Sequence, residues 1–313
     1  MDGMNEADVS SVGALGDFLR SRRARLSPEA AGIVSYGARR VPGLRREELA
    51  QLAGISATYY TRLEQGQSTN ASESVVDAIA RALGLDEDER THLHDLAKPA
   101  PRVRRRPSRP EAARASTVRL IDAMTDVPAV VMGRRTEVLA WNRLGHALLA
   151  GHYDFTAPGR PADRPNMTRM LFLDCHTREL YARWDEEAAR AVASLRLVAG
   201  RFREDRALAG LVGELTLGSD EFAALWSEHP VLDCLCGTKH FRHPEVGDLE
   251  LGFEMLHLAQ DTGQRILTFT AAPGTGSEAA LRLLAARTAA ARTTSPANAH
   301  DAPSVAANRL TVP

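Results

Sequence analysis

At 313 residues the chain is longer than one small domain needs and fits two, and its 39 Lys and Arg against 40 Asp and Glu leave a net charge of only -1. Every apolar run is interrupted by Arg, Glu or Asp before the ~20 residues a bilayer crossing requires, the start MDGMNEADVS lacks the basic and apolar parts of a secretory signal, and three cysteines are too few and too unevenly spaced for a disulfide framework. These features point to a cytoplasmic globular protein. The neutral sum argues against a nucleic-acid partner only until the charges are placed along the chain.

The first hundred residues carry a helical apolar period in short pieces. Leu15, Phe18 and Leu19 form one stripe, Leu49, Leu52 and Ala53 a second, Tyr60 and Leu63 a third, and Val75, Val76, Ile79, Ala80 and Leu83 a fourth. A fifth short helix is expected to begin at Asp86, since the acidic run DEDE suits the positive end of a helix dipole, and to end near Ala97. Only residues 32–43 read as a longer loop.

Within this bundle, residues 46–65, REELAQLAGISATYYTRLEQ, meet the requirements of a DNA-reading helix pair. Leu49, Ala53, Ile55, Tyr60 and Leu63 fall at the contact spacings, Ala50 is the small contact residue, Gly54 supplies the turn, and Ser56 is placed to cap the second helix. With Tyr60 and Leu63 facing inward, Ala57, Thr58, Thr61 and Arg62 point outward at the start of the second helix, toward a major groove. Arg62 matches the O6 and N7 acceptors of guanine, Thr58 a base edge or thymine methyl, and Ala57 permits close approach. Tyr59 is assigned to a phosphate or sugar contact, and Arg45 and Ser56 complete the expected DNA-facing set.

Charge placement agrees: between Gly13 and Arg62 nine arginines face four acidic residues. Arg20, Arg22, Arg23 and Arg46 are the expected phosphate contacts, an assignment weighed against a merely solvated cationic face. The window resembles the helix-turn-helix of the phage-repressor-like, xenobiotic-response-element family of regulators. That likeness implies double-stranded DNA as partner and a homodimer reading two half-sites.

Residues 98–110, KPAPRVRRRPSRP, crowd four prolines and six basic residues into thirteen positions and read as an extended linker over 98–111, with Arg105 and Arg106 adding to the cationic footprint. It separates a first domain at 13–97 from a second at 112–290. A tail at 291–313 lacks periodicity and reads as disordered.

In the second domain a helix is expected near 112–124, then two short strands at 127–132 and 137–141 joined by Gly-Arg-Arg-Thr as a hairpin. Helices follow near 142–149, 166–172, 186–201, 205–217 and 219–226, strands at 231–241, 249–258 and 264–271, and a last helix from 277 to about 290. This order describes an α+β domain with an antiparallel sheet, because the adjacent strands leave no room for crossover helices.

The segments DVPAVV, LAWN, NMTRMLF, YARWD, SDEFAALW and KHFRHPEVG, with SYGARRVPGLRR ahead of the helix pair, resemble the MmyB-like transcription regulators. The likeness implies a PAS-like fold and a pocket for a fatty acid or another small apolar or amphipathic ligand, with no other cofactor. Aromatic residues for such a wall include Trp141, Phe172 and Trp226, and Arg169, Arg196, Lys239 and His243 are candidates to meet a carboxylate. The alternatives are an enzyme domain, oxidoreductase or hydrolase, fused to the DNA-binding module, or a protein-interaction domain without ligand.

Several constellations fail on spacing. Cys234 and Cys236 have a C-x-C spacing, which in a regular strand shares one face and does not form the knuckle of a zinc site. The run GTGSEA from Gly274 lacks the following βαβ unit of a dinucleotide site and reads as a turn with Ser277 as helix cap. Consecutive Asp174, Cys175 and His176 should scatter their side chains, so neither a metal nor a catalytic site is expected there.

Overall fold

The computed structural model describes residues 6–33, 41, 43–67, 71–98, 111–259 and 263–294. The expected linker except its end residues Lys98 and Glu111, and most of the loop at 32–43 and of the tail, therefore lie outside the described residues. Two domains are present, an all-helical one and an α+β one.

The helical domain comprises α1 (Glu6–Arg25), α2 (Arg46–Ala53), α3 (Ala57–Glu64), α4 (Glu73–Leu83) and α5 (Glu87–Ala97). The apolar spacings close on one core in which Phe18, Leu19, Leu49, Tyr60, Leu63, Ile79 and Leu93 are almost fully buried. Each boundary has a local cause. Gly54 adopts φ 67° and ends α2, its N–H satisfying the carbonyls of Ala50 and Gln51. The Ser56 hydroxyl accepts from the Tyr59 N–H and starts α3. Asp86 and Glu89 form a reciprocal cap on α5.

The second domain continues with α6 (Ala115–Asp122), β1 (Ala129–Met132), β2 (Val138–Trp141), α7 (Arg143–Ala150), a short 3-10 turn at Ala157–Gly159, α8 (Met167–Leu173), α9 (Cys175–Leu180), α10 (Trp184–Arg201), α11 (Arg206–Gly218) and α12 (Asp220–Ser227). It ends with β3 (Cys236–His243), β4 (Gly247–His257), β5 (Arg265–Thr270) and α13 (Gly276–Thr294). The five strands form one antiparallel sheet in the order β2-β1-β5-β4-β3, so β5 is central and buried along most of its length. Helices α7 to α13 build the layer over one face, with a core running from Trp141 and Phe172 through Leu195 and Phe222 to Phe241 and Phe269.

Three expectations are corrected. The strand expected from Val231 begins only at Cys236, because Val231 packs into the core of the helical domain and the Asp233 N–H donates to Asp88 at 2.8 Å. Helix α9 was not foreseen, and α13 continues four residues into the stretch read as a disordered tail.

Candidate DNA-reading surface and ligand cavities

Along α3, Tyr60, Leu63 and Glu64 are buried, while Ser56, Thr58 and Arg62 are exposed and Ala57, Tyr59 and Thr61 half-exposed. The expected inward and outward faces are thus those of the fold, and Arg62 forms no ion pair among the described residues. Arg45, just before α2, is also exposed.

The helix pair is anchored by an ion cluster that its spacing did not announce. The Glu64 side chain is fully buried, and its carboxylate accepts from Arg23 Nε and from Arg46 Nε, both at 2.6 Å. Arg23 also donates to the Leu44 carbonyl at 2.7 Å, clamping α1 to the segment leading into α2. Burial alone would raise the Glu64 carboxyl, but the hydrogen bonds from both guanidinium groups outweigh it and hold it below the ordinary carboxylate range.

The expected phosphate contacts accordingly divide. Arg20 is exposed beside Asp17, and Arg46 keeps 41% of its side chain exposed while bound to Glu64. Arg23 is committed to Glu64. The assignment of Arg22 is corrected: it is buried, pairs with Glu89 at 2.6 Å and donates to the His229 carbonyl of the second domain at 2.8 Å. In this arrangement it faces the other domain and is closed to a phosphate.

Between the sheet and helices α8 and α10 of the second domain lies a cavity of about 100 Å³. Met132, Met167, Leu171, Phe253, Met255 and Leu267 supply apolar wall, and Thr136, Thr168, Ser194, Lys239 and Arg265 the polar groups. Thr136, at the tip of the β1–β2 hairpin, holds φ 65°, and its hydroxyl shares a 2.8 Å hydrogen bond with that of Thr168. Lys239 is neutralised by Glu187, which also accepts from Arg190 at 2.7 Å. Arg265 differs: it is 5% exposed, reaches Ser194 Oγ only at 3.4 Å, leaves Nε without a partner and forms no ion pair among the described residues.

Of the expected ligand contacts, only Lys239 lines this cavity. Arg196 and Trp226 line a different cavity, between the domains. The other four are placed elsewhere by strong local bonds. Arg169 makes a two-pronged pair with Glu214 at the surface, and Phe172 packs edge-on against Trp184 and Phe222. The Trp141 indole donates to the Phe155 carbonyl, and His243 ties its two nitrogens to the Ala147 carbonyl and the Glu245 N–H. Arg265 was missed; its one signal is a charged residue opening an otherwise uncharged central strand.

The sulfur and imidazole groups also depart from expectation. Cys234 precedes the strand, lines the cavity and has its thiol pushed up to about 11 by burial, whereas Cys236 is exposed. Asp174 and His176 are joined by His152 from the end of α7, so that one ligand atom of each lies within 4.8 Å of the others. Asp174 caps α9, and its carboxylate is tied to His152 Nε2 at 2.5 Å, which accounts for the cluster structurally.

Residues 113–284 match the model of the MmyB-like transcription regulator ligand binding domain, and residues 14–93 match a helix-turn-helix domain. The chain belongs to the MmyB-like transcription regulators. No curated protein matches it. As an MmyB-like regulator it combines a DNA-binding domain, α1 to α5, with a ligand-binding domain, and α10 lines both the cavity of that domain and the junction with the DNA-binding helices. Among the described residues, no helix is long and apolar enough to cross a membrane.

Proposed function

We propose that this regulator binds double-stranded DNA as a cytoplasmic homodimer and that a small amphipathic carboxylic acid, fatty-acid-like, adjusts its affinity from the cavity beside the sheet. Arg265 is the observation that carries this reading. A buried guanidinium without a counter-ion is costly, and a carboxylate would complete it with two oxygens matched to its fork. Burial pushes the Arg265 guanidinium below its ordinary value, with the Asp233 charge offsetting it only in part. Met132, Met167 and Met255 give the rest of the wall adaptable side chains. That matters because about 100 Å³ is small beside ligand pockets of roughly 300–1,000 Å³, so an acyl chain must displace wall atoms to enter. The protonated Cys234 thiol belongs to that wall and is a poor nucleophile at neutral pH.

Mass spectrometry of acids extracted from the purified protein tests the reading, with Arg265→Met as comparison. A carboxylic acid recovered from the natural sequence and lost in Arg265→Met is expected. Recovery of neutral compounds alone, or equal recovery from both proteins, would overturn it.

A further inference from the structure

A second, larger cavity of about 260 Å³ lies where the two domains meet. Phe18, His92 and Leu96 line it from the DNA-binding side, and Arg196, Gly200 and Trp226 from α10 and α12. Arg196 is 8% exposed. Its guanidinium lies over the Trp226 ring, 3.9 Å from the centroid, and donates to the Trp226 carbonyl and, at 3.1 Å, to His229 Nδ1. Its Nε has no partner, and it forms no ion pair among the described residues. Facing it, His92 is 3% exposed with Nδ1 equally unpartnered. Arg22 adds positive field nearby but is already matched by Glu89. One carboxylate, Asp17, lines the rim and is half-exposed in its pair with Arg20.

A cavity whose wall joins Phe18, Leu96 and Trp226 to the cations Arg196 and Arg203 and the imidazoles of His92 and His229, with Asp17 as the one carboxylate in its lining, favours an anion with an apolar body. We propose that this cavity is a second effector site, which takes a small carboxylic acid as its carboxylate and joins the two domains through it. Arg196 Nε and His92 Nδ1 are sealed in the empty cavity, so a small shift of the two side chains opens them to the ligand: one carboxylate oxygen then accepts from Arg196 Nε, the other from His92 in its Nδ1–H tautomer, and the hydrocarbon portion sits between Phe18, Leu96 and Trp226. A volume of about 260 Å³, just below the usual range of roughly 300–1,000 Å³, suits a short chain or a single ring. Because the walls come from both domains, the ligand binds the docked arrangement better than the separated one and stabilises docking by that difference. The site stands independently of the sensor cavity, sharing no lining residue with it.

Calorimetric titration of the full-length protein with sodium hexanoate tests the site, with hexanamide as the uncharged control. The protein is expected to bind hexanoate and not the amide. Arg196→Met should weaken binding roughly tenfold or more, the loss expected when a charge-assisted hydrogen bond to a carboxylate is removed. Ala14→Phe, which fills the same cavity from α1 and leaves the Arg196 contacts in place, should do the same and carries the test if Arg196→Met does not fold. Ala191→Trp, which fills only the sensor cavity, should leave hexanoate affinity within about twofold, as for distant independent positions. Loss of binding in Ala191→Trp overturns the second site and assigns the acid to the sensor cavity, leaving the reading of Arg265 intact. No heat from hexanoate, or equal binding of the amide, also overturns it.

Discussion

Glu64 occupies a position on α3 where a reading helix needs no charge, and its burial explains two of the arginines that flank the motif. With its side chain closed to water, the carboxylate depends on Arg23 and Arg46, and Arg23 depends on it in turn. Arg23→Met should therefore cost on the order of 3 kcal/mol in chemical denaturation, the penalty for stranding a buried charge, with Arg46 retaining part of the contact. Arg62 is its opposite: exposed, and without an ion pair among the described residues. Arg62→Ala should leave the melting temperature unchanged and reduce discrimination at one base pair by ~1–3 kcal/mol, measured by competition among sites selected from random DNA. Loss spread evenly over all sequences would move Arg62 from base reading to phosphate contact.

At the level of elements, α10 packs close to α5 because Gly200 carries no side chain: a methyl there would lie 2.4 Å from the His92 ring. Gly200→Ala should wedge the domains apart, seen as faster amide exchange in α5 and along 228–235, while α2 and α3 keep their protection. How far such elements were legible follows from the range of the forces that fix them. The helix pair was legible because Gly54, Ser56 and the apolar spacing act within a turn or two of the chain. The central strands were legible for the same reason. Helix α9 was not, since CHTREL is one short turn set by the Asp174 cap and carries no stripe of its own. The false start of β3 at Val231 has a tertiary cause: Val231 serves the other domain's core instead of the sheet, while Leu232 and Leu235 stay exposed. Arg265 was illegible as a candidate ligand contact because its surroundings are assembled from elements far apart in sequence; Arg196 was among the candidates, but its place between the domains was not legible, and nothing in its neighbours distinguished it from Arg169, which is spent on Glu214.

For the whole molecule, the junction contains two imidazoles held neutral. Burial first, and then the Arg196 charge, depress His229 to about 4 and His92 to about 3, with Arg22 acting on both and Asp17 partly offsetting the effect at His229. Once exposed, the same groups take up protons near their ordinary value of about 6.5, so the opened form binds more protons between about pH 4 and 6.5, and docking weakens as pH falls through that window. Trp226 fluorescence followed from about pH 7 to about pH 5 should report the opening, and His229→Asn, which tolerates the left-handed φ of 53° found there, should flatten the profile. The capture of Arg22 by the His229 carbonyl, and of Arg25 by that of Glu228, has a further consequence for DNA. Each cation held in the junction is withheld from the polyanion, so fewer counterions leave the duplex when the docked protein binds. If opening returns Arg25 to a phosphate, the plot of log affinity against log salt should steepen by about 0.9, since Arg22 keeps its pair with Glu89 in its own domain. The ionic-strength dependence of operator binding thus becomes a count of the domain junction's occupancy, legible without any probe placed on the protein.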